Sequence, residues 1–197
     1  MLAAEAAASW CDAVGQDECV GALIVVTGPP GAGKSTVARL LADRFDPSAL
    51  VAGDEFFGFI ASGRIDPWLP ESREQNEIVI QAAAAAAGRL ALGGYTVVYD
   101  GVLGPWFVGA FLAGAGVGAI HYVSLMPTEE RCRERVRTRT DHGFTDLCAT
   151  SKMYGEFERW PLEARHVILD EGSAAETADE VVRRLVAGQL EWTEPSA

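Results

Sequence analysis

The chain has 197 residues, 49% of them hydrophobic and 22% charged, which suits one globular domain with a sizeable core. Its formal net charge of −12 argues against a basic nucleic-acid surface and against a polybasic membrane anchor. The plain reading of that acidity is solubility.

In chain order, residues 4–14 read as a short alanine-rich helix, so residues 1–20 form a helical extension ahead of a domain at 21–197. The opening stretch "MLAAEAAASWCDAVGQDECV" has no basic region before its apolar part and carries acids within it, unlike a secretory signal. No run of 18 apolar residues suggests a membrane span. Cys11, Cys19, Cys132 and Cys148 show no C-x-x-C and no metal spacing, so they read as reduced thiols of a cytoplasmic protein.

Short apolar runs predict strands at 21–26, 48–53, 95–100, 118–125 and 166–170. Between them, helices are expected at 35–45, 71–92, from about 105, at 128–139, at 147–160 and at 174–189. Residues 54–70 read as a short helix plus an ordered loop. The alanine run at 82–87 reads as helix propensity rather than as a linker. Alternation of strand and helix predicts an α/β fold, a parallel sheet covered by helices on both faces.

The segment Gly28, Pro29, Pro30, Gly31, Ala32, Gly33, Lys34, Ser35, Thr36 matches G-x-x-x-x-G-K-[ST], with a strand before it and a helix opening within it. Glycines let the backbone turn its N–H groups inward, and the helix N-terminus adds positive potential, so the loop suits a polyphosphate. Lysine occurs only at Lys34 and Lys152, which makes Lys34 conspicuous. It supplies charge to the outer phosphates, and Ser35 offers a hydroxyl to Mg²⁺.

Asp54 ends the second strand and Asp100 ends the third. In an open α/β sheet the ligand crevice lies at the carboxyl ends of the strands, so both acids belong on the rim of the glycine loop. Asp100 is placed to hold Mg²⁺, with Ser35 as the other metal ligand. Asp54 is placed to take the proton of an attacking hydroxyl. The competing role for either is a helix cap.

In "RCRERVRTR" arginines stand at 131, 133, 135, 137 and 139. At about 100° per residue, Cys132 and Val136 form the apolar stripe. Arg135 and Arg139 flank that stripe, while Arg133 and Arg137 point to solvent. Lys34, Arg135 and Arg139 therefore join Asp54 as catalytic candidates, the arginines as partners for transferred-phosphate charge. Surface salt bridging is their alternative. The polar segment at about 139–147 reads as a lid.

For the acceptor, aromatic residues after Asp54 and Asp100 describe a small-molecule pocket. Phe57, Arg64, Trp68, Asn76 and Trp106 are the candidates, with Glu71 and Arg73 as further polar groups.

Glycine loop, two strand-end aspartates and an R-x-x-x-R helix with lid together resemble the small P-loop kinases. Among these the chain looks most like the chloramphenicol phosphotransferase-like group, over roughly residues 21–190, and "GRIDPWLPES" with "VVYDGV" is similar to segments of uncharacterised nucleotide-binding bacterial members. The resemblance implies a three-layer P-loop NTPase fold with strand order 2-3-1-4-5. It also implies ATP and Mg²⁺ as cofactors and transfer of the γ-phosphate to a hydroxyl, with Asp54 as general base. The acceptor segment does not closely match chloramphenicol phosphotransferase, so the acceptor stays open among antibiotic, nucleoside-like and sugar-like molecules.

The alternative is a nucleoside or nucleotide monophosphate kinase, which wants an arginine clamp for the acceptor phosphate. Between the second and third strands only Arg64, Arg73 and Arg89 are available. A GTP switch would need an N-K-x-D-type segment after the fourth strand, and "VSLMPTEE" has none.

Overall fold

A computed structural model describes residues 21–139, 144–169 and 172–192. The expected helix at 4–14, with the extension 1–20, lies outside these residues, as do 140–143 of the expected lid. The strands are β1 (Leu23–Thr27), β2 (Ser48–Ala52), β3 (Thr96–Asp100), β4 (His121–Leu125) and β5 (Val167–Ile168). They form one parallel sheet in the order β2-β3-β1-β4-β5, as expected.

Every residue of β1 is buried, because helices cover both faces of the sheet. Successive side chains alternate between those faces. Ile24 and Val26 meet α1 (Lys34–Ala42) through Val37 and Leu41, together with Val181 and Leu185 of α6 (Ala174–Val186). Leu23 and Val25 share the opposite core with α2 (Arg73–Ala91) and α3 (Val108–Ala115). Two further helices, α4 (Glu129–Thr138) and α5 (Leu147–Arg159), follow β4.

Element ends differ from the sequence reading where single groups intervene. β1 begins at Leu23 rather than 21, since the Gly21 N–H bonds the Ala91 carbonyl at the end of α2. β4 begins at His121 rather than 118, and the Ile120 carbonyl accepts the Trp192 N–H instead. β5 is short because a 3-10 turn at Ala164–His166 takes its expected first residue. The long second helix starts as a 3-10 turn, Pro70–Ser72. α6 stops at Val186, short of 189, and Gly188 adopts φ 66° just beyond it.

The alanine run does more than favour a helix. Ala83, Ala84, Ala87 and Ala91 are fully buried in the core that α2 shares with α3. A Cβ on Gly88 would lie 1.8 Å from the Ala115 carbonyl oxygen, and one on Gly114 would lie 2.7 Å from that of Gln81. The two backbones touch, and only small residues permit it.

Candidate active site

The glycine loop connects β1 to α1. Gly28, Gly31 and Gly33 have φ of 137°, 82° and 95°, all in the region that L side chains avoid. Space is as restrictive as torsion. A Cβ on Gly28 would meet the Leu125 carbonyl oxygen at 2.3 Å, and one on Gly31 would meet that of Cys132 at 2.3 Å. α1 starts at Lys34 with no side chain capping its first N–H groups. Those donors are left for an anion. Lys34 is only 8% exposed, and its ammonium lies 3.5 Å from the Pro29 carbonyl oxygen. Ahead of the loop, Thr27 Oγ1 donates to the Leu103 carbonyl (3.1 Å) and accepts from the Leu103 N–H (2.8 Å). That reciprocal pair locks the end of β1 to the segment leaving β3.

Asp54 does not end β2, which stops at Ala52, but lies in a 3-10 helix, Gly53–Phe59, that follows it directly. It is not a cap, since the N-cap position is Ala52 and no side chain caps that helix. Its Oδ1 accepts the Val102 N–H at 2.9 Å, so the carboxylate bridges the ends of β2 and β3. Asp100 is 9% exposed and sits in register with Val26 of β1 and Ala52 of β2. Tyr99 is buried close to both acids. Its phenol is pushed far above its ordinary value by burial, then by the charges of Asp54 and Asp100.

The arginine phasing separates as expected for three residues and differs for one. Cys132 and Val136 are fully buried. Arg135 donates to the carbonyls of Gly31 (3.3 Å) and Ala32 (3.1 Å), so it holds the loop from outside. Arg139 donates to the Phe144 carbonyl at 2.7 Å, and its guanidinium lies over the Phe144 ring at 5.7 Å. Burial lowers its pKa, and the nearby Asp54 charge opposes that. Arg137 is exposed and pairs with Glu134 at 2.6 Å. Arg133 is not solvated. It donates to the Leu147 carbonyl (3.0 Å) and Ser151 Oγ (2.6 Å), because α5 packs against that face of α4.

One cavity of about 700 Å³ joins the loop, Asp54, Arg135 and Arg139, whereas Asp100 is not among its lining residues. Its phosphate end is lined by Pro30, Gly31, Ala32, Gly33, Lys34, Ser35 and Thr36, with Asp54, Arg135 and Arg139 beside them. Its other end is lined by the expected Phe57, Arg64, Trp68, Asn76 and Trp106. Trp106 sits edge-on to Phe157 (5.3 Å) and Trp68 edge-on to Phe144 (5.2 Å).

Asn76 has a role that the sequence did not suggest. It is buried, and its Nδ2 donates to the Pro67 carbonyl (2.8 Å) and Ser72 Oγ (3.0 Å). A carbonyl only accepts, so the amide orientation is fixed by chemistry. Asn76 thus pins the segment that carries Trp68. Gln75 adds a second clamp, bonding both the N–H (2.8 Å) and the carbonyl (2.7 Å) of Ile65. Lys152 adds a third, through the Trp68 carbonyl at 2.6 Å. Arg73 is occupied elsewhere, over the Phe107 ring at 5.9 Å and 3.4 Å from Glu77.

The model of the AAA domain family (AAA_33) matches residues 23–160. The chain belongs to this family. No curated protein matches it in sequence. Among solved structures, it is similar to the Deinococcus radiodurans tunicamycin resistance protein, at 14% identity and TM-score 0.60 over 84% of this chain and 95% of that one. A gluconokinase from Sinorhizobium meliloti follows at 21% identity and TM-score 0.59, over 88% and 95%. The Mycobacterium tuberculosis APS kinase CysC, in complex with AMPPNP and APS, has 18% identity and TM-score 0.58 over 84% and 97%. At these identities the likeness is one of fold.

In this AAA domain the candidate donors for a nucleotide-bound Mg²⁺ are one hydroxyl and one carboxylate, Ser35 and Asp100. Among the described residues no cluster of three or more His, Cys, Asp or Glu could hold an ion unaided. Ser35 is exposed on the cavity wall, and Asp100 ends β3 outside the cavity lining. Mg²⁺ commonly takes one or two protein ligands and completes its shell with water and phosphate oxygens. The AAA domain also has wall residues that the sequence reading missed, namely Met153, Glu156 and Phe157 of α5. Their spacing of three and four residues was the available signal. Among the described residues no helix is long and apolar enough to cross a membrane.

Proposed function

We propose that this protein is an ATP-dependent small-molecule kinase that transfers the γ-phosphate to a hydroxyl of its acceptor. The observation that carries this reading is the single cavity running from the phosphate loop, past Asp54, into an aromatic chamber. A nucleotide-only switch has no use for such a chamber beside its outer phosphate.

The loop N–H groups and Lys34 bind the polyphosphate, and Arg135 keeps the loop in shape through the Gly31 and Ala32 carbonyls. Asp54 orients the acceptor hydroxyl and takes its proton as the new O–P bond forms and ADP departs with the old bridging oxygen. Arg139 stands on the same side of the cavity, where positive charge stabilises the phosphoryl group in transit. Mg²⁺, held through Ser35 and Asp100, would neutralise phosphate charge. Aromatic walls exclude water and so limit hydrolysis.

The similar structures include a resistance protein and kinases of gluconate and APS, which supports a small hydroxylated acceptor and leaves antibiotics among the possibilities. Dependence on ATP supports a cytoplasmic location. The expected lid at about 139–147 remains part of this proposal. So do the absence of nucleic-acid partners, supported by the net charge of −12, and the absence of membrane partners.

The test is an ATP-depletion screen with Mg²⁺ against hydroxylated antibiotics, nucleosides and sugars. Acceptor-dependent ADP release, abolished in Asp54→Ala, supports the reading. Turnover of nucleoside monophosphates alone would favour the monophosphate-kinase alternative instead.

A further inference from the structure

Charge is unevenly spread along the cavity. Six lining residues carry it: Lys34, Arg64, Arg135, Arg139, Asp54 and Glu156. Three of the four cations belong to the phosphate end. Lys34 sits in the loop, Arg135 bonds loop carbonyls, and Arg139 lies within reach of the Asp54 charge. That leaves Arg64 and Glu156 for the aromatic end.

Glu156 is placed there by α5. The next residue, Phe157, packs its ring against Trp106, and Lys152, one turn earlier, bonds the Trp68 carbonyl. Glu156 is half-buried, Arg64 is exposed, and neither has a hydrogen bond or ion pair among the described residues. The other nearby cation, Arg73, is engaged by Phe107 and Glu77. Among the described residues the aromatic end thus presents one carboxylate and one solvated guanidinium, with no clamp.

A phosphate, sulfate or carboxylate on the acceptor would call for paired, oriented guanidinium donors. Among the described residues this chamber lacks them and holds a like charge instead. A carboxylate accepts hydrogen bonds only, and aromatic walls stack flat rings. We infer that the acceptor is a ring-bearing alcohol without negative charge, and that Glu156 is the specificity-determining residue that reads its O–H or N–H donors and repels anions. This deepens the kinase reading and rests on it, since it assigns the aromatic end to the acceptor.

The test is calorimetry on the full chain with saturating AMPPNP and Mg²⁺. Uridine serves as the uncharged probe and tyrosinol as the cationic one. Uridine 5′-monophosphate and 4-hydroxyphenylacetate are the anions. At least one of the first two should bind about tenfold or more tighter than either anion. Glu156→Gln should erase most of that preference, with tyrosinol losing most if charge is read and uridine if donors are read. Glu158→Gln, an exposed neighbour on the same helix, should leave it unchanged. Equal or tighter binding of an anion overturns the inference, as does no binding by either of the first two probes or an unaltered preference in Glu156→Gln. ATP depletion is measured separately. A preference without turnover would count against the kinase reading and leave the selection by Glu156 standing.

Discussion

The Asp54 carboxylate accepts the Val102 N–H at 2.9 Å, which ties the first residues after β2 to the segment leaving β3. One oxygen is thus committed to the backbone, and the carboxylate has a fixed orientation beside the phosphate loop.

That bond separates two roles. Asp54→Asn keeps an amide oxygen for Val102 and removes the proton acceptor. We expect kcat to fall about 10²- to 10⁴-fold while ATP affinity, measured by calorimetry, changes little. Asp54→Ala should lose the same activity and also loosen the segment after β3. An Asn variant with near-normal turnover would leave Asp54 only the structural bond.

Arg135 and Arg139 should fail differently. Arg135→Ala leaves the Gly31 and Ala32 carbonyls without their donor, so the nucleotide Kd should rise, by about tenfold for a partly exposed charge-assisted pair of bonds. Arg139→Ala touches no loop atom among its described bonds and should instead lower kcat, with Kd for ATP nearly constant. Parallel calorimetry and steady-state kinetics read the split, and identical behaviour of the two variants would remove the distinction.

Gly31→Ala should be among the most damaging single-methyl changes in the chain. The new Cβ meets the Cys132 carbonyl oxygen at 2.3 Å, at φ 82°. Strain of this kind costs about 1–3 kcal/mol, so Tm should drop by several degrees and nucleotide binding should be lost with it. Ala32→Gly, on the same loop, is the comparison.

How far these residues could be read from sequence depends on the range of the interaction. The loop and the position of Asp54 beside it were legible from a local motif and the end of a strand, whereas Asp100 ends β3 without lining the cavity. The phasing of α4 was legible for Arg135, Arg137 and Arg139, since a single helix sets the angles. Arg133 was not, because its partners lie on α5 and only the packing of two helices brings Leu147 and Ser151 to it. Asn76 read as an acceptor ligand because its type and position allowed it, and the segment it holds is an irregular loop with no pattern to announce the contact. Glu156 belongs to no motif, and only its helical spacing from Met153 could have pointed to it.

Acid should weaken the fold in a defined window. Burial pushes His166 below its ordinary 6.5, outweighing the bond from its Nδ1 to the Tyr122 carbonyl, and burial lowers His121 as well. The unfolded chain therefore binds more protons just below pH 6.5. Stability from these groups is complete above that value and is lost as pH falls through the folded pKa. Glu180, held down to about 2 by Arg183 and Arg184, contributes fully above 4.5 and does not vary in this window. Urea midpoints from about pH 7.5 to about pH 5 should decline in the parent and decline less in His166→Gln.

Gly88→Val tests the contact of α2 with α3. The first added carbon meets the Ala115 carbonyl at 1.8 Å, and that atom is backbone, which cannot rotate away. Destabilisation of about 1–3 kcal/mol is expected from overpacking, read as a fall in the denaturant midpoint at constant slope. An unchanged midpoint would mean that the two helices can part freely.

The approach of Gly31 to the Cys132 carbonyl has a mechanical meaning. Cys132 lies on α4, the helix that carries Arg135, and Arg139 follows at its end. Cradle and cations therefore abut through backbone, with no compressible side chain between them. A rotation of α4 that swung Arg139 toward the phosphates would press on Gly31 in the same stroke. On the kinase reading proposed above, gripping the nucleotide and supplying charge to it would be geared together, so a ligand that shifted one would shift both.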